Sequence, residues 1–281
     1  MATRHKSILI TGCSSGIGYH CAHAMQQRGW QVFACVRKAA DQQRLADEGL
    51  QVLYLDYTDH DSITKCVDDV LDSTDGRLEA VFNNGGYGQS GALEDLSVHA
   101  LRDQFETNVF GWHELTRLLI PSMRHNKSGR IVQCSSVLGL VSMKYRGAYC
   151  ASKHAVESLS DTMRMELMGS GVHVSLIEPG PIASRFVEHS LEAFHREIRI
   201  DASVHKEVYH KRLARMQRGG ASRFKLGPEA VQKRLVHALE SDRPRPRYYV
   251  TAPSYAMGFL KRVLSHRALS ALLARSADRE T

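Results

Sequence analysis

A tyrosine and a lysine four residues apart, Tyr149 and Lys153, are the residues of this chain best suited to proton transfer. They lie in A-Y-C-A-S-K-H, which has the pattern of a helix, so their side chains share one face about one turn apart. An ammonium group near a phenol favours the phenolate and shifts the tyrosine pKa from about 10 toward the range of a general acid or base. The spacing alone is common. Three other features make a catalytic interpretation of this pair more specific: Asn108, Ser136 thirteen residues before the tyrosine, and a glycine-rich turn near the N-terminus.

The glycine-rich turn follows the first predicted strand. Residues 7–11 form a short apolar, β-branched run, G-C-S-S-G-I-G follows from Gly12 to Gly18, and a helical pattern comes next. Strand, glycine turn and helix together are typical of a dinucleotide site, because the helix N-terminus offers amide donors to phosphates. Gly12 would permit the tight turn, Gly16 would let the backbone approach a pyrophosphate, and Gly18 would let helix and strand pack closely.

Composition indicates a globular α/β protein. The chain has 281 residues, 43% of them hydrophobic, which is enough for one large domain over 1–281. It contains no uninterrupted apolar run of about 18 residues, and its N-terminus leads directly into the first strand, so we expect neither a spanning helix nor a signal peptide. The six cysteines are scattered without a C-x-x-C motif, which favours reduced thiols in a cytoplasmic protein.

The net charge of +7 raises the question of a nucleic-acid partner. The basic residues are mostly dispersed, and no helix-turn-helix, zinc or RNA-binding motif is present. The charge is better explained by a solvated surface and by attraction for an anionic cofactor. The fifteen histidines lack acidic or cysteine partners at ligand spacing, so we expect no metal site.

Strand and helix patterns alternate along the chain. Strands are predicted at 7–11, 30–36, 51–55, 78–83, 129–134, 172–177 and 247–251. The longest helices are predicted at 16–28, 60–71, 98–124 and 145–168. Repeated βα units predict a Rossmann-type, doubly wound parallel sheet of about seven strands with helices on both faces. Ligands of such a sheet collect at the carboxyl ends of its strands.

Two segments depart from the alternation of strands and helices. Residues 182–225 are charged and rich in histidine but contain large apolar residues, which indicates a substrate-binding loop or lid. The alternative is an ordinary pair of surface helices. Residues 255–276 have the pattern of a basic amphipathic helix, which could bind weakly to a membrane surface. The alternative is packing over the substrate pocket or against a partner subunit.

Taken together, these motifs resemble the short-chain dehydrogenase/reductase family over nearly the whole chain. The matching motifs occur in the family's order: T-G-C-S-S-G-I-G, Asp56, N-N-G-G, Asn108, Ser136, Tyr149 with Lys153, and P-G. The branch resembled contains the 17β-hydroxysteroid and retinol dehydrogenases and bacterial aldehyde and ketone reductases. In N-N-G-G, Gly85 stands where the family usually has alanine, which loosens the backbone but removes no chemical group.

The resemblance implies a catalytic role for four residues. Tyr149 would give its proton to a carbonyl oxygen in reduction or take it from an alcohol in oxidation. Lys153 would bind the nicotinamide ribose and lower the tyrosine pKa. Ser136 would hold the substrate oxygen and share its developing charge. Asn108 would anchor a water molecule that connects Lys153 to a proton path. The resemblance also implies homodimers or homotetramers formed through the helices that carry Asn108 and Tyr149.

The resemblance also implies a set of cofactor contacts. Besides the turn glycines, Tyr149 and Lys153, they involve Ser14, Ser15, Ile17, Asp56, Asn83, Gly85, Pro179, Gly180 and Ile182. Asn83 would support the adenosine side. Asp56 would contact adenine, and its alternative role is to cap a turn.

The end of the second strand predicts the cofactor. It reads C-V-R-K, without the acid that binds the ribose 2′-hydroxyl in NAD-specific sites. Arg37 and Lys38 can instead pair with a 2′-phosphate. The sequence therefore favours NADP(H) over NAD(H).

Two functional hypotheses follow. The first is an NADP(H)-dependent oxidoreductase that interconverts an apolar aldehyde or ketone and its alcohol, with the apolar residues of 182–225 motivating the substrate class. The second is a non-catalytic NADPH-binding sensor or regulatory protein on the same fold. An epimerase or dehydratase relative would need a G-x-x-G-x-x-G turn, which the sequence lacks.

Overall fold

The computed structural model describes residues 6–217 and 224–278. Within these residues the strands are β1 (Ser7–Thr11), β2 (Gln31–Val36), β3 (Gln51–Tyr54), β4 (Ala80–Asn83), β5 (Gly129–Cys134), β6 (Val172–Glu178) and β7 (Arg247–Tyr249). They form one parallel sheet in the order β3-β2-β1-β4-β5-β6-β7. The chain winds outward from β1 to β3 and then returns to β4 beside β1. This reversal opens a crevice at the carboxyl ends of β1 and β4, and the predicted fold class is confirmed.

Eleven α-helices are present in the described part of the chain. They are α1 (Gly16–Gln27), α2 (Ala39–Asp47), α3 (His60–Ser73), α4 (Val98–Phe105), α5 (Gly111–His125), α6 (Gly147–Glu166), α7 (Phe186–Glu197), α8 (Lys206–Gln217), α9 (Glu229–Glu240), α10 (Ala252–Val263) and α11 (His266–Asp278). Helices α1 and α9 pack against each other on one face of the sheet, and α3, α5 and α6 cover the other. None of the described helices is long and apolar enough to cross a membrane.

The core lies between the sheet and these helices. Every residue of β1 is buried, as expected for a strand covered on both faces. All six cysteines are buried and unpaired, in agreement with the predicted free thiols. Observed strand and helix ends mostly differ from the predicted ones by one or two residues.

The helix predicted over 98–124 is interrupted in the structure. A π-helical segment, Glu106–Phe110, separates α4 from α5 and contains Asn108. The Asn108 side chain bonds to the backbone of Tyr87 rather than to its own helix. Such a local widening often occurs at functional sites.

The single C-terminal helix predicted over 255–276 is wrong. The backbone of Leu264 is extended, with ψ of 143°, and this ends α10. The Ser265 hydroxyl accepts a hydrogen bond from the amide of Ala268 at 3.3 Å, so it caps the start of α11. A serine between two apolar runs therefore marks a second helix start.

The 182–225 segment packs on a small core of its own. Phe194, Ile198 and Tyr209 are buried there against Ala92. The Tyr209 hydroxyl donates a hydrogen bond to Asp95 and accepts one from the Ala92 amide. Helices α7 and α8 are thus anchored to the loop after β4. Residues 218–223 of the predicted lid lie outside the described residues, as do the chain ends 1–5 and 279–281.

A buried ion-pair network joins α6, β6 and β7. Arg247 donates hydrogen bonds to Glu157, to Glu178 at 2.6 Å and to Asp161 at 2.5 Å. Glu178 is completely buried and lies next to Glu157, so desolvation and the second carboxylate hold its pKa well above the ordinary value. The arginine balances a cluster of acids that could not otherwise be buried together.

We predict that Arg247→Met lowers the free energy of unfolding by about 3 kcal/mol, because it leaves buried carboxylates without their cation. The deficit should be larger near pH 8 than near pH 5. Without the cation the folded-state pKa values of these acids rise, and stability from such groups is lost as pH increases. Urea unfolding at both pH values measures the effect.

The matched control is Arg28→Met, which removes a surface ion pair with Glu240. We expect it to change the free energy of unfolding by less than about 1 kcal/mol. If both variants lost the same free energy of unfolding, the Arg247 network would stabilise the protein no more than a surface ion pair does.

Candidate functional site

A cavity of about 1400 Å³ opens at the carboxyl ends of the strands. This exceeds the ~300–1,000 Å³ of a typical small-ligand pocket. The predicted site residues that line it are Gly12, Ser14, Ser15, Gly16, Ile17, Arg37, Lys38, Asp56, Gly85, Asn108, Ser136, Tyr149, Lys153, Pro179, Gly180 and Ile182. Of the predicted set, only Gly18 and Asn83 do not line it. The fold therefore brings distant segments of the sequence to one site.

The glycine turn and the loop after β4 are in close backbone contact. Gly12 has a φ of +68°, and a Cβ on it would lie 2.5 Å from the Gly85 Cα. A Cβ on Gly85 would lie 3.1 Å from the Gly12 nitrogen, so the glycine that replaces the family's alanine fits a tight contact. A Cβ on Gly18 would collide with the Gly12 carbonyl oxygen, which explains the close packing predicted there.

The turn leads into a helix start with open amide groups. Ser15 precedes α1 with an extended backbone and makes no side-chain capping hydrogen bond. The first amides of a helix have no intrahelical acceptor, so they keep their capacity for an anionic ligand. Arg44, which the sequence did not single out, donates to the Ser14 carbonyl at 2.8 Å and supports the turn from outside.

The two asparagines at the end of β4 make different contacts. Asn83 is buried beneath the cavity, where it accepts from the Tyr57 hydroxyl at 2.8 Å and donates to the Thr116 hydroxyl at 2.9 Å. Asn84 lines the cavity and donates to the Thr11 carbonyl at 3.0 Å. Sequence reasoning named Asn83 and missed Asn84, although the repeated asparagine was a signal for both.

Asn108 clamps the loop after β4. Its Oδ1 accepts from the Tyr87 amide at 3.2 Å, and its Nδ2 donates to the Tyr87 carbonyl at 2.9 Å. The side chain is completely buried. Both ends of the side-chain amide thus bond to the backbone of one residue, Tyr87, and the water molecule expected beside Asn108 stays a prediction.

Tyr149, Ser136 and Lys153 meet inside the cavity. Burial raises the pKa of Tyr149 well above its ordinary value, and the nearby Ser136 hydroxyl lowers it by a smaller amount. Lys153 Nζ donates to the Cys134 carbonyl at 2.7 Å and lies 4.1 Å from the centre of the Trp112 ring. Burial lowers the pKa of Lys153 to about 8.

The sequence predicted that Lys153 lowers the pKa of Tyr149, but in this arrangement the pKa of Tyr149 is raised. The ammonium group points toward a carbonyl and an indole, and its Nζ is 5.7 Å from the centre of the Tyr149 ring. Desolvation of the phenol is the larger effect. The neutral phenol is thus the favoured form at neutral pH.

Arg37 and Asp56 lie together at the edge of the cavity. The Arg37 side chain is 62% exposed, and its Nη1 is 3.6 Å from Asp56 Oδ2. Asp56 Oδ1 accepts from the amide of Thr58 at 3.0 Å and from its hydroxyl at 2.9 Å. Asp56 thus has the turn-capping role that the sequence left open, and the adenine contact stays a prediction.

The other half of the cavity has a lining that the sequence only partly indicated. From the loop after β5 and from α7 it includes Leu138, Val141, Met143, Arg146, Phe186, His189, Ser190 and Ala193. From α10, α11 and the residues that follow β7 it includes Ala252, Pro253, Ala256, Met257, Leu272, Leu273 and Ser276. The C-terminal helices thus contribute to the pocket wall, which was one of the two alternatives for this segment.

We predict that Asn108→Ala lowers the free energy of unfolding by about 2 kcal/mol, because it leaves the half-buried amide of Tyr87 without its partner and the Tyr87 carbonyl with Gln104 as its remaining side-chain donor. Thermal unfolding of the purified protein checks this. Ser122→Ala serves as a control, since it removes a half-buried side-chain bond to Gly76 far from the cavity. A loss at Asn108 no greater than that at Ser122 would contradict the clamp.

Comparisons with known proteins agree with this site. The family model described as short chain dehydrogenase matches residues 6–193. The chain is 42% identical to the uncharacterized oxidoreductase YbbO of Escherichia coli (strain K12), over 95% of this chain and 94% of that protein. It is 32% identical to retinol dehydrogenase 8 of Bos taurus, over 87% and 81% of the two chains.

Two further comparisons extend the likeness. The chain is 32% identical to human 17-beta-hydroxysteroid dehydrogenase type 1, over 87% of this chain and 77% of that protein. A solved structure of a short chain dehydrogenase/reductase from Burkholderia phymatum, in complex with NAD, is 25% identical with a TM-score of 0.77, over 97% and 96% of the two chains. The glycine turn, the tyrosine–lysine pair and these likenesses lead to one conclusion: the chain belongs to the short-chain dehydrogenase/reductase family of oxidoreductases.

Proposed function

We propose that this protein is an NADP(H)-dependent oxidoreductase that interconverts an apolar aldehyde or ketone and its alcohol, with Tyr149 as the general acid and base. The observation that carries the proposal is that Ser136, Tyr149 and Lys153 line one cavity together with the glycine turn. A proton donor, an oxyanion-stabilising hydroxyl and a dinucleotide-binding turn are the parts that carbonyl reduction requires.

The protonation states favour reduction. Burial keeps the Tyr149 phenol protonated at neutral pH, so the side chain is ready to donate a proton to a carbonyl oxygen. The Ser136 hydroxyl donates a hydrogen bond to the same oxygen as negative charge develops there. A bound nicotinamide cofactor supplies the hydride.

Lys153 has two tasks in this proposal. Its pKa near 8 leaves it mostly protonated at neutral pH, and its ammonium group would donate hydrogen bonds to the ribose hydroxyls of a bound cofactor. Its second task is to donate to the Cys134 carbonyl at 2.7 Å, which ties α6 to the end of β5, the strand that leads to Ser136. Asn108 holds the loop after β4 against the same wall of the cavity.

The cofactor proposal depends on charge at the end of β2. Arg37 and Lys38 line the cavity there, and Arg37 is exposed enough to reorient toward a 2′-phosphate. The relative from Burkholderia phymatum is described in complex with NAD, so the family accommodates the other dinucleotide as well. NADP(H) is the proposed preference and NAD(H) the second cofactor.

The substrate proposal depends on the apolar wall around Tyr149. The side chains that supply it include Leu138, Val141, Met143, Phe186 and Met257. Phe186 packs against the catalytic ring, with ring centres 5.3 Å apart. The similar proteins named for retinol and 17β-hydroxysteroids fit an apolar substrate.

The exposed apolar residues and the free thiols suggest how the enzyme assembles and in which compartment it works. Phe110 is 52% exposed and Leu159 is 40% exposed, on the segments that carry Asn108 and Tyr149, which supports a homodimer or homotetramer through these helices. Six unpaired thiols support a reducing compartment such as the cytoplasm.

We predict that Arg37→Ala weakens NADPH binding by about 10-fold or more and leaves NADH binding within about 2-fold of wild type, because it removes a charge-assisted bond to the 2′-phosphate only. Titration with each nucleotide, followed by nicotinamide fluorescence, measures both constants. Arg77→Ala is the control, on the far side of the sheet before β4. Equal NADPH and NADH affinity in wild type would show that Arg37 does not select the cofactor.

We predict that Tyr149→Phe lowers kcat for carbonyl reduction at least ~100-fold while NADPH binding stays within about 3-fold of wild type. The panel should contain aliphatic aldehydes, retinal, a 17-ketosteroid and a 3-oxoacyl thioester. A wild type that binds NADPH tightly but reduces none of them would favour the sensor hypothesis. Turnover by Tyr149→Phe at the wild-type rate would remove Tyr149 from the mechanism.

A further inference from the structure

The substrate half of the cavity carries an excess of positive charge. Its basic lining residues are Arg146, Arg185, Arg196, Arg212, Arg215 and Lys225, and its acidic ones are Asp103, Glu106 and Glu192. Two of the arginines are already paired, since Arg185 bonds Glu188 at 2.7 Å and Arg196 bonds Glu197 at 2.8 Å. Arg212 and Arg215 have interaction partners as well. An apolar carbonyl compound alone would not require Arg146 near it.

Arg146 stands out among these residues. It lies three residues before Tyr149, at the start of α6, and its guanidinium lowers the pKa of the Tyr149 phenol. Its Nε atom is buried and makes no hydrogen bond within the described part of the chain. A buried donor without an acceptor is unfavourable unless a ligand supplies the acceptor.

The backbone around Arg146 is strained and held in place. Tyr145, directly before it, has a φ of +63°, a left-handed conformation that is unfavourable for a bulky residue. The Gly91 amide donates to the Tyr145 carbonyl at 2.9 Å, and Gly91 and Arg146 form an isolated parallel bridge. Conformations of this kind persist where the surrounding structure imposes them, and they occur often at functional sites.

A second cation lies beside this strained turn. The Arg212 guanidinium stacks on the Tyr145 ring, with Cζ 5.1 Å from the ring centre. Arg212 comes from α8, in the segment whose small core anchors it to the loop after β4. Arg146 follows Tyr145 in the chain, Arg212 contacts the Tyr145 ring from α8, and both arginines line the cavity.

We propose that Arg146, assisted by Arg212, binds a carboxylate of the substrate, so that the preferred substrates are aldehydes or ketones that carry both an apolar chain and a carboxylate. The inference rests on the proposed function. A guanidinium fork matches a carboxylate in geometry, and one carboxylate balances one unpaired guanidinium. Arg146 lies about one helical turn from Tyr149, so an anion and a carbonyl group of the same molecule can reach both residues.

The test compares substrates that differ only in the carboxylate. With NADPH, kcat/KM is measured for 9-oxononanoic acid against nonanal and for 6-oxohexanoic acid against hexanal. The proteins are the wild type, Arg146→Met, Arg146→Lys and Arg243→Met; Arg243 is an exposed arginine just before β7, at the amino end of the strands and so opposite the cavity. The ratio of oxo acid to alkanal within each protein is the readout. Both substrates need the same proton transfer, so an effect of Arg146 on Tyr149 cancels in this ratio.

We expect the wild type to favour the oxo acid by about 10-fold or more at one of the two lengths, which is the contribution of one charge-assisted hydrogen bond. The ratio should fall to about 1 in Arg146→Met, recover in part in Arg146→Lys and stay at the wild-type value in Arg243→Met. NADPH titration of each variant shows whether the site has folded, and the wild-type ratio is decisive without any variant.

The outcomes separate the two proposals. If the wild type reduces the alkanals but prefers neither oxo acid, the carboxylate site is overturned and the proposed function stands. If Arg146→Met folds and keeps the wild-type preference, Arg146 is not the anion ligand and the inference is overturned. If the wild type reduces neither class, nor any other carbonyl compound of the panel, the proposed function itself fails.

Discussion

The contact between the glycine turn after β1 and the loop after β4 is the constraint on which the site depends. Gly12 and Gly85 approach so closely that neither position has room for a larger side chain without movement of the backbone. The contact occurs where the winding of the sheet reverses, so it forms the floor of the crevice. Asn84 and Asn108 then fix the loop from two sides through bonds to backbone groups. This close approach therefore determines the shape of the cavity around the glycine turn.

Burial determines the pKa values of two titratable groups in the cavity, Tyr149 and Lys153. A phenol and an amine in water would titrate near 10, but inside the cavity the Tyr149 pKa rises and the Lys153 pKa falls to about 8. Desolvation thus moves the two groups in opposite directions, and each moves toward its neutral form. A neutral phenol beside the Ser136 hydroxyl is a proton donor, which agrees with carbonyl reduction as the proposed direction.

Helix α6, which carries Tyr149 and Lys153, is held in place by ion pairs as well as by apolar packing. Glu157 lies one turn beyond Lys153 and belongs to the Arg247 network, and Glu178 of the same network directly precedes Pro179 at the cavity wall. Arg247 therefore joins α6, which carries Tyr149, to β6, which leads to Pro179 on the cavity wall. At the other end of α6, the strained turn at Tyr145 sets the position of its first residues.

The sequence by itself determined the βα order, the glycine turn and the Tyr149–Lys153 spacing, because local periodicity and residue type are sufficient for these features. The tertiary structure decided what each side chain contacts. It directed Lys153 to the Cys134 carbonyl, placed Asn84 rather than Asn83 on the cavity wall, and divided the C-terminal helix at Ser265. Such outcomes depend on burial and on partners far away in the sequence, and no local pattern contains that information.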